Sequence, residues 1–152
     1  MQKSDRLAAE IVALCMSDDD AWPLETLLAD LWATGEADRH RDALFDVLER
    51  RPLADDHASN TLRRWLEILP GGGQALVASA RRRPSLMTTR MLNRFLNGGI
   101  ASIEGTSLLD LLGEVRDDPT VPGEVREEAA DCLAWQQERT ATGGSESVVE
   151  VD

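Results

Sequence analysis

Hydrophobic residues recur at helical spacing along almost the whole chain. Near the amino terminus, Leu7, Ile11 and Leu14 step by four and three residues, which is the apolar stripe of an amphipathic helix, and Ser4 is placed to cap it. The same spacing recurs in later segments that Pro and Gly residues separate, whereas no segment alternates with the period of a strand. The pattern predicts about eight helices, near residues 7–15, 22–32, 37–51, 55–69, 74–83, 85–97, 107–116 and 122–139.

The short connections between these segments favour successive antiparallel helical hairpins. Three helix pairs begin near Ala37, Gln74 and Ser107, at separations of 37 and 33 residues, which are close to the periods of helical repeats. We therefore predict a single all-α domain over residues 1–140, built either as an α-solenoid of the HEAT or armadillo kind or as an irregular bundle. Residues 141–152 lack a helical stripe and are predicted to be a disordered acidic tail, although the end of this segment could instead pair as a short strand.

Length and charge narrow the class of protein. The 152 residues include 28 acidic and 16 basic side chains, giving a net charge of −12. No apolar stretch approaches the roughly 18 residues that a membrane span needs, and the amino terminus lacks the layout of a signal peptide. We therefore expect a cytoplasmic protein with no membrane partner. Cys15 and Cys132 lie on apolar stripes and are predicted to be core residues, too few for a disulfide framework or a thiolate zinc site.

The charge is distributed in blocks along the chain. Residues 1–60 carry 6 − 14 = −8, residues 61–100 carry 7 − 1 = +6, and residues 101–152 carry 3 − 13 = −10. A nucleic acid would meet repulsion from both acidic blocks, so we expect no direct binding of nucleic acid. Arg81, Arg82 and Arg83 of the central block are expected to pair within the protein, with the acidic ends of the chain.

Known catalytic and metal-binding patterns are missing from the sequence. It contains no P-loop, nucleophile elbow, dinucleotide fingerprint, HExxH or EF-hand spacing, and the only lysine is Lys3. His40 and His57 lack a second histidine nearby and are expected on the solvated surface. We predict a protein that is not an enzyme and that uses no metal or cofactor.

The segment from about Ala43 to Trp135 resembles a family of helical immunity proteins found beside bacterial polymorphic and contact-dependent toxins. The resemblance depends on three motifs, namely Trp65–Gly72 (WLEILPGG), Ser79–Pro84 (SARRRP) and Met91–Gly99 (MLNRFLNGG). It implies a protein that binds and neutralises a cognate toxin. The polar residues of the third motif are expected to be structural: Asn97 would cap a helix end, while Asn93 and Arg94 would tie adjacent helices together.

An acidic inhibitor could occupy the basic cleft of such a toxin, a nuclease for example, by presenting carboxylates where phosphates would lie. An exposed Trp22 or Trp32 is the candidate apolar anchor. The same acids also favour helix amino ends, and a small HEAT-like interaction scaffold or a nucleic-acid-mimic regulator would share these features. No residue pattern demands a particular oligomeric state. The candidate contact residues are Asp18, Asp19, Asp20, Trp22, Glu36, Asp38, Asp55, Asp56, Asp117 and Asp118.

Overall fold

A computed structural model describes residues 2–17, 22–143 and 149–151 of the chain. Helices dominate this part of the protein, as the hydrophobic spacing predicts, and a short 3₁₀ turn at Ala37–His40 precedes the third of them. The elements are α1 (Lys3–Met16), α2 (Leu24–Ala33), α3 (Arg41–Arg50), α4 (His57–Glu67), α5 (Gly72–Arg82), α6 (Leu86–Asn97), β1 (Ile100–Ile103), β2 (Thr106–Ser107), α7 (Leu108–Asp117), α8 (Gly123–Gly143) and β3 (Val149–Val151).

The helices pack as four hairpins, α1–α2, α3–α4, α5–α6 and α7–α8. Odd-numbered helices pack in the order α1, α3, α5, α7, and even-numbered helices pack in the order α2, α4, α6, α8. Each hairpin therefore packs mainly on its sequence neighbours, and two layers of helices result. The prediction of an all-α domain of antiparallel helical hairpins is confirmed.

The alternating direction of the helices gives the stack two distinct edges. Connections inside hairpins lie at one edge, which we call the hairpin-loop edge (residues 22–23, 51–56, 83–85 and 118–122). Hydrogen bonds to backbone carbonyls hold this edge together: the Arg51 guanidinium donates to the Cys15 carbonyl near the end of α1 at 2.7 Å, and the amide of Leu86 donates to the Pro52 carbonyl at 2.8 Å. Connections between hairpins lie at the opposite edge.

One continuous apolar core runs through all four hairpins. Leu28, Leu62, Leu76 and Leu111 are at most 1% exposed and belong to the same cluster. Each fully buried leucine stabilises the fold by roughly 1.5–3 kcal/mol. Cys15 and Cys132 are also in this core, where burial raises the pKa of their thiols to about 11 and about 12. Both thiols therefore stay protonated near neutral pH, as expected for inert core residues.

Side-chain caps fix several helix starts. Asp56 caps α4, Ser107 caps α7, and Ser85 forms a capping box with Thr88 at the start of α6. The prediction that Ser4 caps α1 is wrong. That helix already begins at Lys3, and the buried Ser4 hydroxyl donates instead to Glu36, in the connection between α2 and α3, at 2.8 Å.

A small sheet between α6 and α7 corrects the prediction that the chain contains no strand. Strands β1 and β2 form a hairpin in which Glu104 and Gly105 have φ angles of +49° and +80°. Positive φ at both central residues is the geometry of a type I′ turn. Strands of four and two residues are too short to show alternation. The sequence feature that indicates this hairpin is Glu104-Gly105, with the β-branched residues Ile103 and Thr106 on either side.

Two parts of the segment predicted as a tail have regular secondary structure. Helix α8 continues to Gly143, four residues beyond the predicted end, and Val149–Val151 forms β3, which pairs parallel to β1. The sheet order is β2-β1-β3. The remaining residues of the expected tail, 144–148 and 152, lie outside the described part of the chain.

Candidate functional site

The residues proposed from the sequence do not form one surface. Asp18, Asp19 and Asp20 lie outside the described residues. Trp22 precedes α2 and is 76% exposed. Of the other candidates, four acids lie at the hairpin-loop edge or beside it and two lie near the opposite edge; the first group is Asp55, Asp56, Asp117 and Asp118, and the second is Glu36 and Asp38.

Asp55 and Asp56 have partners within the fold. Asp55 accepts a hydrogen bond from Arg90 at 2.7 Å, which is the main reason that the pKa of Asp55 lies below its usual value. Burial acts to raise the pKa of Asp56, but hydrogen bonds from Ser59 and Arg51 outweigh it and lower the pKa. Both carboxylates therefore hold the start of α4 in place.

Most of the other candidate acids are also engaged. Asp117 pairs with the adjacent Arg116 at 2.8 Å, and Asp118 accepts from both the amide and the hydroxyl of Thr120 in the loop before α8. Glu36 accepts from Ser4 and pairs with Arg39 at 3.1 Å. Asp38 is exposed. These local contacts are the structural role that acids at turns and helix ends commonly have.

Arg81 and Arg82 pair with carboxylates of neighbouring helices, as predicted, whereas Arg83 is exposed and forms no ion pair with any residue that the structure describes. Arg82 of α5 donates two hydrogen bonds to Glu49 of α3, at 2.8 and 2.6 Å, and Ser79 donates a third. Arg90 of α6 lies between Asp55 and Glu128. The arginines of residues 61–100 that form ion pairs are Arg63, Arg81, Arg82, Arg90 and Arg94.

The polar residues of the Met91–Gly99 motif connect α6 to the helices on either side. Arg94 donates to Glu67 of α4 at 2.7 Å. Gln136 of α8 donates to the side-chain oxygens of Asn93 and Asn97, at 2.7 and 2.8 Å. Asn97 is the last residue of α6, and Gly98 occupies the cap position. The motif thus contributes cross-helix hydrogen bonds at the heart of the stack.

A different set of carboxylates faces outward along α8. Residues 124, 127, 131, 135 and 138 are three or four positions apart and therefore share one helical face over about 21 Å. All are exposed, while Val125, Ala129 and Cys132 cover the buried side of the helix. We call this surface the acidic face of α8; it consists of Glu124, Glu127, Asp131, Trp135 and Glu138.

Three acids of this face, unlike those at the loops, lack partners among the residues that the structure describes. Glu124, Glu127 and Asp131 form no ion pair or hydrogen bond with any residue that the structure describes. Glu128, one position from Glu127 but turned toward α6, pairs with Arg90. Three carboxylates on one helix are therefore open to solvent and to a partner.

Trp135 supplies an apolar surface within the acidic face. Its side chain is 44% exposed, and the guanidinium carbon of Arg139 lies 5.0 Å from the ring centroid. Arg139 also donates to Asn97, which holds the guanidinium against the ring. A tryptophan fixed in this way offers a flat surface at low entropic cost.

Two other side chains differ from expectation. Trp32 is no exposed anchor, because it packs edge-to-face on Trp65 with ring centroids 5.1 Å apart. His40 is not solvated but lies between α1 and α3, with its side chain 13% exposed and Nε2 3.4 Å from Asp5. Contacts between helices cover both Trp32 and His40, and the sequence alone does not specify which helices pack together.

From the sequence, Glu127, Glu128 and Asp131 stand out as a cluster of acids, but they are not among the contact residues proposed above, and the face they share with Glu124 and Trp135 was not recognised. Carboxylates at spacings of three and four residues around Trp135 lie opposite the apolar stripe of the same helix.

In the described part of the chain, no three His, Cys, Asp or Glu side chains are grouped closely enough to hold a metal ion, and no helix is long and apolar enough to cross a membrane.

No protein-family model matches the chain, and no curated protein or solved structure was found to resemble it.

Proposed function

We propose that this protein is an immunity protein that binds a cognate bacterial toxin and covers its active or substrate-binding surface. The proposal combines the motif resemblance of residues 43–135 with one structural observation, namely that Glu124, Glu127 and Asp131 of the acidic face pair with no residue that the structure describes. The nature of that face suits a toxin with a basic cleft, such as one that cleaves nucleic acid.

Charge supports the proposal at the level of association. Glu124, Glu127 and Asp131 need break no internal ion pair before they meet a cationic partner. A row of carboxylates attracts a basic cleft during diffusion and raises the association rate, most strongly at low ionic strength. We expect association to slow as salt is added.

Trp135 supports the proposed toxin binding because it can contribute to the affinity of the complex. Aromatic residues surrounded by polar groups often carry much of the binding energy of an interface, because they are desolvated at its centre. Trp135 lies between Asp131 and Glu138 on the same face. It replaces Trp22 as the leading candidate for the apolar anchor.

The scaffold supports it by presenting this face in a fixed shape. Helix α8 packs against both α6 and α7, and Gln136 ties it to the Met91–Gly99 motif. Binding by a preformed helix avoids much of the cost of ordering a flexible loop. This arrangement is consistent with inhibition by steric cover.

The same row of carboxylates also favours a second candidate, a nucleic-acid-mimic regulator of an enzyme that binds DNA. The position of the gene in the genome distinguishes the two functions. An immunity gene is expected directly downstream of a gene for a large secreted toxin. Co-expression with the toxin domain encoded there should restore growth and yield a complex that co-purifies. Continued killing would count against immunity.

A matched pair of charge reversals tests the surface. The double variant Glu127→Lys with Asp131→Lys is expected to weaken toxin affinity by about 100-fold and to abolish protection, because both charges face the partner. The control is Glu10→Lys with Asp30→Lys, which makes the same change in net charge at exposed interior positions of α1 and α2. Equal weakening by both pairs would show that only net charge matters.

A further inference from the structure

Asn93 and Asn97 of α6 contact α8 in different ways. Gln136 of α8 has two amide N–H groups and can donate one to each asparagine, at 2.7 and 2.8 Å. Asn97 accepts a second hydrogen bond, from Arg139 at 2.9 Å. In the described part of the chain, Asn93 forms no hydrogen bond with Arg139. The two asparagines therefore share the link to Gln136, and Asn97 has a further contact of its own.

This further contact reaches the outer surface of α8. Arg139 lies one helical turn after Trp135, and its guanidinium carbon is 5.0 Å from the ring centroid. An arginine on a helix surface has many accessible rotamers. The hydrogen bond to Asn97 favours the rotamer in which the guanidinium covers the ring. Because Asn97 belongs to α6, the conformation of Trp135 is set from a neighbouring helix.

A fixed ring matters most at an exposed position. The Trp135 side chain is 44% exposed, so packing within the fold restricts only part of it. A side chain that is immobilised before binding spares the complex an entropic cost, which corresponds to roughly 2- to 10-fold in affinity for one flexible side chain. The contact between Arg139 and the ring can therefore contribute to binding without touching the partner.

We propose that Asn97 is a positioning residue of the acidic face of α8: acting through Arg139, it holds the indole ring of Trp135 in the conformation that the toxin contacts. This inference rests on the proposed function, in which Trp135 is the apolar anchor. It gives the Met91–Gly99 motif a role in binding as well as in packing, although Asn97 itself need not touch the toxin.

The chemistry of an asparagine side chain suits this position. Asn97 is the last residue of α6, where the helix macrodipole disfavours a negative charge. Its amide oxygen accepts from both Gln136 and Arg139 without adding such a charge. Aspartate would keep an acceptor for Arg139, whereas alanine would remove it. The two substitutions therefore separate the acceptor oxygen from the other properties of the residue.

Nuclear magnetic resonance of the Trp135 indole tests the positioning without any toxin. Trp135→Phe identifies the indole signal among those of the four tryptophans. In Asn97→Ala, the ¹⁵N heteronuclear NOE of this indole is expected to fall to about half of its wild-type value, because Arg139 loses its partner on α6. Asn97→Asp should keep the wild-type value, since its carboxylate accepts from Arg139.

Asn93→Ala is the matched control. It removes the other hydrogen bond from Gln136 and leaves the contact between Asn97 and Arg139 in place. The Trp135 indole should keep its wild-type NOE in this variant. An equal fall in Asn93→Ala and Asn97→Ala would show that both act only through packing of α6 on α8. No fall in either would show that other contacts fix the ring. Either result overturns the proposal.

Toxin affinity provides the second measurement. Asn97→Ala should bind the toxin domain about fivefold more weakly than the wild type, whereas Asn97→Asp and Asn93→Ala should each stay within about twofold of it. Equal weakening by Asn93→Ala and Asn97→Ala would contradict a positioning role. If the wild-type chain binds no toxin, the proposed function fails, and the indole measurement still decides whether Asn97 holds the ring.

Discussion

The basic centre of the stack and its acidic carboxyl-terminal hairpin use charge in opposite ways. In the centre, Arg82 forms an ion pair with Glu49, and Arg90 forms ion pairs with Asp55 and Glu128. These charges are neutralised within the fold, where they join neighbouring parts of the stack. Along the outer side of α8, Glu124, Glu127 and Asp131 pair with no residue that the structure describes. Net charge along the sequence therefore does not indicate which charges a partner can meet.

Side-chain reach and position in the stack explain the difference. Arginine is long and carries a forked donor group, so an arginine on one helix can bind a carboxylate on the next. Helix α8 has neighbours on the side of α6 and α7, where Glu128 finds Arg90. Its remaining face has no described helix to supply cations. Glu124, Glu127 and Asp131 therefore stay unpaired within the described part of the chain.

The largest expected effect comes from breaking a central pair. Arg82→Ala leaves Glu49, which is 4% exposed, with only Ser79 as a partner. We expect a loss of about 2–3 kcal/mol in the free energy of unfolding, less than for a fully buried pair because half of the Arg82 side chain is exposed. Urea denaturation measures it.

The neighbouring arginine provides the control for that change. Arg83 is exposed, and its replacement by Ala should cost less than about 0.5 kcal/mol. Equal losses for the two variants would show that the Glu49 contact does not stabilise the stack.

The helices and several caps could be predicted from sequence because they depend on local spacing. Ser85 and Ser107 were identified as the residues that open α6 and α7, and both accept the expected capping hydrogen bonds. Hydrophobic stripes also placed both cysteines in the core. These features require only residues within one or two helical turns.

The site could be predicted less well because it depends on which residues meet across the fold. The partner of Asp55 is Arg90, 35 positions away, so local clustering of acids overestimates their availability. The cap predicted for Ser4 is wrong for the same reason, since the hydrogen-bond partner of Ser4 is Glu36, which lies 32 positions away. The acidic face of α8 required knowing which side of the helix is buried.

A smaller loss is expected from the motif contact that links α6 to α8. Gln136 is 8% exposed and donates to Asn93 and Asn97, so Gln136→Ala should lower the free energy of unfolding by about 1–2 kcal/mol. Gln137→Ala, one position along on the exposed side, should change it little. Thermal unfolding of both variants compares them, and similar melting temperatures would argue against a structural role for the motif.

Asp55→Asn tests an ion pair at the hairpin-loop edge and should have a weaker, pH-dependent effect. The pKa of Asp55 is lower in the folded protein than its usual 3.8, so the charged form stabilises the fold above that pH and the contribution disappears as pH falls through the folded pKa. The variant should lose about 0.5 kcal/mol near pH 7 and nothing in strong acid. Asp131→Asn, which removes an unpaired acid, should show no such loss near neutral pH.

The smallest expected effect concerns the acidic face itself. Glu127 and Asp131 are four residues apart on the same side of α8, and like charges at that spacing destabilise a helix by about 0.2–0.5 kcal/mol. Glu127→Gln with Asp131→Asn should therefore raise the free energy of unfolding slightly at low salt, with the gain shrinking as salt is added. A loss above about 1 kcal/mol would mean that these acids have a structural partner. A gain would mean that the fold keeps repelling charges at a cost to its own stability, which is the expected signature of residues retained for contact with a partner.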